Sequence, residues 1–296
     1  MLKKLPILLL TGMLLTACAA DDQENDEASL AQTTSSEASE ITSQPHDASS
    51  ESNHQTTETT EAVASDEVTY YIDPDSSSVV PITEDANSNV VLATVDDVPR
   101  KLPETPTSSV KEAKAMADRG IYGIFFVNGM YLQGEDGEEG RQALKEIADM
   151  GHVIGNHTLT HYSLDEIPDE ETLRNEIIGN QDIIEEVIGY RPHFFRPPHG
   201  IQTDGLEAIL EEENMISMNW SYGFDWEETY SDPNALADIM VNTELLSPGA
   251  NLLMHDLTWT SEAMPTILDG IEAKGYEFVD ARKIATREQM NDLNID

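Results

Sequence analysis

Two patterns of apolar positions alternate between residues 89 and 279. Short runs of β-branched and aromatic residues predict strands, and the stretches between them repeat apolar residues every three to four positions, which predicts amphipathic helices. The predicted strands are Asn89–Val95, Ile121–Val127, His152–Asn156, His193–Arg196, Met215–Trp220, Asn251–Met254 and Tyr276–Val279. The predicted helices are Ser108–Asp118, Glu138–Met150, Asp169–Ile188, Asp204–Glu213, Pro233–Leu245 and Glu262–Lys274.

This alternation predicts parallel strands joined by right-handed crossovers. Seven units over about 200 residues fit a closed or nearly closed barrel better than a small open sheet, so we predict an α/β barrel, with a doubly wound sheet as the alternative. Gly120, Gly151 and Gly275 stand where a helix end favours positive φ. Asp232-Pro233 is typical of an N-cap followed by a first-turn proline.

The first 17 residues have the features of a secretory signal. Lys3 and Lys4 precede an apolar run, Leu5–Leu15, that is too short to span a membrane comfortably. Leu15-Thr16-Ala17-Cys18 resembles the bacterial lipoprotein signal, in which cleavage precedes the cysteine and its sulfur is lipidated. An ordinary signal peptide with an incidental Cys18 is the alternative. We expect an extracytoplasmic protein anchored to the membrane by lipid.

The following segment, residues 18–67, is predicted to be an acidic, disordered tether. It contains 13 Asp and Glu, no Lys or Arg, and almost no large apolar residues. Such a composition cannot bury enough surface to offset chain entropy. The domain prediction is therefore a signal peptide (1–17), a tether (18–67) and one folded domain (68–296), whose motifs span about 89–285.

The formal net charge of −41 excludes several functions. Phosphate backbones are repelled, so we expect no nucleic-acid partner, and contact with the membrane only through the lipid. The single cysteine excludes an intrachain disulfide and a multi-cysteine zinc site. The folded part is itself acidic, which indicates a solvated surface. We expect a monomer.

Titratable or cationic side chains follow five of the predicted strands, where a barrel of this kind places its active site. They are Asp96 and Asp97 after the first strand, His157 and His161 after the third, Arg196 at the end of the fourth, Asp225 after the fifth and His255 after the sixth.

Three of these side chains form a predicted metal site. His157 and His161 have the i, i+4 spacing that puts two imidazoles on one side if the turn is helical, and Asp97 adds a carboxylate. Two neutral imidazoles and a carboxylate suit Zn²⁺ with one position open to water, and Co²⁺ or another divalent ion is an alternative. His152 and His193 lie at strand starts, so we interpret them as structural.

The remaining side chains predict acid–base chemistry. Asp96 is left free to act as general base, and the Arg196 guanidinium can hold its charge. His255 is predicted to be the general acid, with Asp225 orienting or charging its imidazole.

The order of the motifs resembles the polysaccharide deacetylases of carbohydrate esterase family 4, which share a NodB homology domain. The matching segments are Thr94-Val95-Asp96-Asp97, His157-Thr158-Leu159-Thr160-His161, Arg196-Pro197-Pro198-His199-Gly200, Asp225-Trp226 and Leu252-Leu253-Met254-His255. The resemblance implies a distorted (β/α)7 barrel and metal-dependent removal of acetyl groups from a glycan. It implies that Asp96 is the base and that Asp97, His157 and His161 bind the metal. It also implies that Arg196 positions the base and that Asp225 tunes His255, the acid.

We expect Pro197, His199, Tyr222 and Trp226 to contact the substrate, with a position in the core as the alternative for Tyr222 and Trp226. The resemblance further implies that the backbone N–H at position 199 helps to hold the oxyanion. The expected function is hydrolysis of N-acetyl or O-acetyl groups on peptidoglycan, poly-N-acetylglucosamine, chitin oligomers or acetylated xylan. Two alternatives stay open: a glycan-binding lipoprotein with weak or no turnover, and a metal-dependent hydrolase of small amides.

This sequence departs from the family pattern at several positions. Val95 replaces the usual Phe, Val98 replaces the usual Gly after the acidic pair, and His199 replaces a common Tyr. None of these changes removes a side chain assigned to the chemistry, so we expect an active enzyme. The changes leave its substrate preference open.

Overall fold

The computed structural model describes residues 68–100, 108–135 and 137–295. The predicted signal peptide, the tether and Cys18 lie outside the described residues. Within the described part of the chain, none of the helices combines the length and hydropathy that crossing a membrane requires.

Seven parallel strands form the central sheet, and all seven predicted strands are confirmed. In chain order, after a short N-terminal hairpin (β1 Tyr70–Ile72, β2 Val79–Pro81), they are β3 Val90–Val98, β4 Ile124–Val127, β5 Val153–Asn156, β6 Phe194–Phe195, β7 Ile216–Ser217, β8 Ala250–His255 and β9 Glu277–Phe278. Their order across the sheet is β7-β6-β5-β4-β3-β8, and β9 pairs with the first residues of β3.

The sheet curls until its two edges meet. Just after β7, Tyr222 bridges Leu252 of β8 in parallel register. The N–H of Leu253 donates to the carbonyl of Tyr222 at 2.8 Å, and the N–H of Ser221 donates to the carbonyl of Asn251 at 2.8 Å. The fold is therefore the predicted distorted (β/α)7 barrel and not the doubly wound alternative.

Within residues 68–100, 108–135 and 137–295, eight α-helical segments accompany the strands. They are α1 Ser108–Ala117, α2 Gly137–Asp149, α3 Glu170–Arg174, α4 Asn180–Ile188, α5 Leu206–Glu212, α6 Pro233–Asn242, α7 Thr258–Ala273 and α8 Arg287–Leu293. The helix predicted to begin at Glu262 starts one turn earlier, at Thr258. Asp232 caps α6 as predicted, since its Oδ1 accepts from the N–H groups of Asn234 and Ala235, each at 3.0 Å.

One predicted helix, Asp169–Ile188, is interrupted by a π-turn at Asn175–Gly179. The interruption lets Glu176 hold the loop that follows β5. Its carbonyl accepts from Leu159 N–H at 2.8 Å, and its carboxylate accepts from the N–H and hydroxyl of Thr160 at 2.9 and 2.7 Å. Such π-turns are frequent near functional sites, and this one braces the second motif.

Successive residues of β3 pack on opposite sides of the sheet. Val91, Ala93 and Val95 join the cluster beneath the helices, whereas Val90 and Leu92 join the cluster inside the barrel. This is the period-two alternation of a strand that is buried on both faces. Around the first residues of β3 the barrel interior is therefore filled with apolar side chains.

Candidate active site at the carboxyl ends of the strands

The five motif segments meet around one cavity of about 640 Å³. Its lining residues are Asp96, Asp97, Arg100, His157, His161, His199, Trp220, Trp226, Leu253, His255, Leu257 and Trp259. The predicted metal ligands, the predicted base and the predicted acid all lie in this lining. Arg196 and Asp225 lie behind it, each fully buried.

An irregular end to β3 turns both adjacent carboxylates toward the cavity. The pairing register with β4 shifts between Val95 and Val98, and Asp97 has a left-handed backbone with φ of 62°. A left-handed conformation is uncommon for a non-glycine residue and marks a position that the surrounding structure enforces. In a regular strand the two side chains would face opposite sides; here Asp96 is 2% exposed and both residues line the cavity.

The guanidinium of Arg196 uses all five of its N–H groups. Nη1 donates to Asp96 Oδ1 and to Thr94 Oγ1, each at 2.7 Å. Nη2 donates to the carbonyl of Asn219 at 3.0 Å and to Asn251 Oδ1 at 3.2 Å, and Nε donates to the carbonyl of Met218 at 3.3 Å. A buried cation is tolerated when its charge is paired and its donors are satisfied. Arg196 is therefore a fixed anchor for the Asp96 carboxylate.

Asp96 keeps one oxygen for chemistry. Oδ1 is held by Arg196, while Oδ2 lies 3.6 Å from His157 Nε2. Burial raises the pKa of Asp96, and the nearby Arg196 and His255 oppose that rise. A carboxylate with a raised pKa that is still held by a cation is a stronger base than an exposed one.

The two histidines of the second motif present nitrogen atoms to Asp97. His161 Nε2 lies 3.4 Å from Asp97 Oδ1, and His157 Nε2 lies 3.9 Å from the same oxygen. One ligand atom from each of the three residues falls within 4.8 Å of the others. The turn between the histidines is not helical as the spacing suggested, because Thr158 and His161 both have positive φ.

These three residues fit a divalent metal. His157 Nδ1 contacts the carbonyl of Arg196 at 2.7 Å, which assigns the ring proton to Nδ1 and leaves the Nε2 lone pair facing Asp97. Burial, with His161 close by, lowers the pKa of His157 to about 3. A neutral imidazole is the form that binds metal, so the donor set of two imidazoles and one carboxylate is ready for an ion such as Zn²⁺.

His255 and Asp225 form a separate pair across the cavity. The two oxygens of Asp225 accept from the backbone N–H of His255 at 2.6 Å and contact its Nδ1 at 2.7 Å. The hydroxyl of Thr260 donates to the same carboxylate at 2.8 Å. Although burial pulls the pKa of His255 down, the charge and hydrogen bond of Asp225 raise it to about 9, with help from Asp96 and Asp97. His255 is thus a cation at neutral pH, able to donate a proton.

All three tryptophans of the chain line the cavity, and only Trp226 was predicted to do so. Trp226 is 49% exposed, and its ring meets that of His255 edge-on at a centroid distance of 5.5 Å. Trp259 donates its indole N–H to the carbonyl of Asp225 at 2.8 Å. The exposed aromatic surface of Trp226 beside His255 suits the apolar face of a sugar ring.

Of the other three predicted substrate contacts, only His199 lines the cavity. His199 lines the cavity with a left-handed backbone (φ 58°) and stacks edge-on against His161 at 5.0 Å. Pro197 is buried and is not among the cavity-lining residues. Tyr222 does not face the cavity and takes the alternative, core position, because it is 3% exposed and its hydroxyl donates to the carbonyl of Met240. Tyr222 is a core residue of the barrel seam.

Sequence reasoning missed several functional neighbours. Arg100, Trp220 and Trp259 line the cavity, and Thr94 and Asn251 hold Arg196. Position after a strand end is a signal that could have selected Arg100 and Trp220. Nothing in the local sequence distinguishes Asn251, a polar residue inside an apolar strand, as a partner of a residue 55 positions away.

Comparisons with known proteins agree with this architecture. The family model described as polysaccharide deacetylase matches residues 83–216. A peptidoglycan-N-acetylglucosamine deacetylase of Bacillus cereus is 32% identical over 201 residues, covering 65% of this chain and 67% of that relative. The peptidoglycan-N-acetylmuramic acid deacetylase PdaC of Bacillus subtilis is 31% identical over 202 residues, covering 67% of this chain and 39% of its own length.

A solved structure shares the fold. The crystal structure of the Bc1960 peptidoglycan N-acetylglucosamine deacetylase superposes with a TM-score of 0.54 at 28% identity, over 65% of this chain and 86% of that one. The barrel, the order of its motifs and these relatives lead to one assignment: the chain belongs to the polysaccharide deacetylase family, carbohydrate esterase family 4.

Proposed function

We propose that the protein removes acetyl groups from the N-acetylated sugars of a cell-wall glycan. The observation that carries this proposal is one cavity that holds a three-residue metal-ligand set, a buried carboxylate base and a cationic imidazole acid. Amide hydrolysis needs these functions together: a water to attack, a base to deprotonate it and an acid for the departing nitrogen.

Asp97, His157 and His161 would hold the divalent ion. When bound, that ion supplies Lewis-acid polarisation of the acetyl carbonyl and lowers the pKa of a water molecule. Zn²⁺ is our first choice for the ion, because the donor set has two imidazoles and one carboxylate.

Asp96 accepts the proton of the attacking water. Its Oδ2 faces the histidines while Oδ1 stays on Arg196, so the carboxylate is held for proton transfer without losing its counter-charge. The backbone N–H of His199, in its left-handed turn, is assigned by the family resemblance to the oxyanion.

His255 protonates the departing amine as the carbon–nitrogen bond breaks. Asp225 accepts the hydrogen bond of Nδ1 and keeps the imidazole charged, which leaves Nε2 as the proton donor. The products are acetate and a sugar with a free amine. Trp226 supports the sugar face beside this acid.

Acetate release from a panel of glycans tests the proposal. The panel contains peptidoglycan, poly-N-acetylglucosamine, chitin oligomers and O-acetylated xylan, and each is compared with Asp96→Asn protein. We expect release from at least one N-acetylated polymer. Release from small amides alone, or binding of a glycan without release, would replace the proposal with one of the two alternatives.

We also propose that Cys18 carries a lipid and that the tether spaces the domain from the membrane. A flexible chain of 49 residues has a mean reach of roughly 35–42 Å, and its 13 like charges extend it. Cys18→Ser should release the protein from the membrane fraction while acetate release per molecule stays the same. If the Cys18→Ser protein stays on the membranes after a high-salt wash, the lipid is not the anchor.

A further inference from the structure

The hydrogen bonds behind Arg196 continue to Asn251, a polar side chain at the start of β8. Asn251 is fully buried, and both ends of its amide are used. Oδ1 accepts from Arg196 Nη2 at 3.2 Å. Nδ2 donates to the carbonyl of Asn219 at 2.8 Å and to the carbonyl of Ser77 at 3.3 Å. Asn251 therefore links the guanidinium to the hairpin that precedes the barrel.

Ser77 occupies the turn between β1 and β2 and reaches into the barrel seam. It is 8% exposed with φ of 56°, and its hydroxyl accepts from the backbone N–H of Asn219 at 2.8 Å. The turn is closed by the N–H of Ser77, which donates to the carbonyl of Asp73 at 2.8 Å. Behind the turn, the N–H of Val79 donates to the carbonyl of Gly249 at 2.9 Å. The hairpin is thus fastened to β8 and to the segment after β7, the two edges that close the barrel.

Two of the five acceptors of Arg196 depend on this hairpin. The carbonyl of Asn219 and the Oδ1 of Asn251 both accept from Nη2, and both residues are tied to Ser77. A buried cation that loses an acceptor must either move or leave a donor unsatisfied. Displacement of Ser77 would therefore rotate the guanidinium plane and carry the Asp96 carboxylate with it.

We propose that Asn251 and Ser77 are positioning residues for the hydrolysis, acting on Asp96 through Arg196. The hairpin begins before residue 83, where the family match starts, so the catalytic site of this chain includes a segment outside the matched region. The inference rests on the proposed role of Asp96 as the base.

Steady-state kinetics of full-length variants tests the inference. Asn251→Leu removes both polar ends at similar volume, and Ser77→Ala removes the acceptor of Asn219 N–H. We expect kcat to fall about 10- to 100-fold for Asn251→Leu and several-fold for Ser77→Ala, because small displacements of a catalytic group are costly. KM and bound metal should stay at the wild-type level, since neither residue lines the cavity.

Two controls separate positioning from stability. Val79→Ala weakens the packing of the same hairpin but leaves Ser77 in place, so Tm should fall while kcat per folded molecule stays unchanged. Ser76→Ala is the matched control, because it removes the hydroxyl of the neighbouring, exposed serine. This variant should keep kcat and Tm near the wild-type values. If Asn251→Leu fails to fold, the kcat of Ser77→Ala decides.

A double-mutant cycle with Asp96→Asn traces the effect to the base. If Asn251 acts through Asp96, Asn251→Leu should change the residual turnover of Asp96→Asn little. The inference would be overturned if the losses in kcat of the two single variants multiplied in the double variant. It would also be overturned if the loss in kcat of Asn251→Leu were fully explained by its fraction of unfolded protein. Wild-type turnover of Asp96→Asn would instead overturn the proposed base, which keeps the two failures distinct.

Discussion

Both ends of the barrel hold a histidine that is 3% exposed, but only one of the two has a nitrogen available to a ligand. At the start of β5, His152 Nδ1 accepts from Gly123 N–H at 3.2 Å and Nε2 contacts the carbonyl of Ala113 at 2.9 Å. At the end of the same strand, His157 Nδ1 contacts the carbonyl of Arg196, and Nε2 faces Asp97. Burial lowers the pKa of both, to about 4 and about 3. Burial and pKa therefore do not distinguish the two roles, whereas the count of committed nitrogens does.

The cavities at the two ends repeat the contrast. The end with His157 opens to about 640 Å³ lined by two aspartates, four histidines and three tryptophans. The end with His152 and His193 encloses about 130 Å³ lined mostly by apolar residues. We infer that the end with His157 presents ionisable and aromatic side chains to an open cavity, whereas the end with His152 is packed mainly with apolar side chains.

The largest expected effect follows from removing a ligand at the open end. His157→Ala or His161→Ala should lose bound metal and all measurable turnover, because two remaining ligands hold the ion poorly. Metal analysis of purified protein, with circular dichroism to verify the fold, gives the measurement. Full metal occupancy in either variant would show that the ligand assignment is wrong.

Asp96→Asn should be the next most damaging change. The amide keeps the shape of the carboxylate but cannot accept a proton, so turnover should fall about 10²- to 10⁴-fold with the metal retained. Asp97→Asn is the matched control, since it should reduce metal content as well. Loss of metal in Asp96→Asn would mean that the two aspartates have exchanged roles.

Asp225→Asn should change the pH dependence. If His255 is the acid, as we propose, kcat/KM should decline as pH rises through its pKa, which Asp225 raises to about 9. Without that charge, burial lowers the pKa of His255, so the alkaline limb should move to lower pH. Thr260→Val removes a neighbouring hydrogen bond but keeps the charge, so its limb should stay near that of wild type. An unmoved limb in Asp225→Asn would exclude His255 as the titrating acid.

His152→Ala should affect stability alone. It leaves Gly123 N–H and the carbonyl of Ala113 unpaired between the sheet and α1, which should cost about 2–4 kcal/mol of unfolding free energy. Denaturant unfolding measures the cost, and turnover per folded molecule should equal that of wild type. A loss of metal binding in this variant would remove the distinction between the two ends.

The sequence predicted all seven barrel strands because each is a short apolar run bounded by turn residues and separated by helical periodicity. It also placed Asp97, His157 and His161 at one end of the barrel, because parallel strands deliver their carboxyl ends together. These predictions depend on local pattern and on topology, both of which can be read along the chain.

The features that sequence reasoning missed depend on contacts between distant residues. The hairpin β1–β2 is short and its turn is polar, and the burial of Ser77 in that turn depends on its hydrogen bonds with Asn219 and Asn251. Tyr222 was predicted to face the substrate or to lie in the core. It lies in the core because it pairs with Leu252 in the barrel seam, and this register cannot be read from the local sequence. The left-handed backbone of Asp97 could not be predicted either, because the sequence has no glycine at this position.

The most direct test of the central claim is acetate release before and after removal of metal. Full-length protein is assayed on the N-acetylated glycan that it hydrolyses best, then treated with chelator, and then given Zn²⁺ or Co²⁺. The account predicts that release stops with the chelator and returns with the added ion, and that His157→Ala protein gives no release in any of the three states. Release that continues unchanged in chelator-treated, metal-free protein would contradict it.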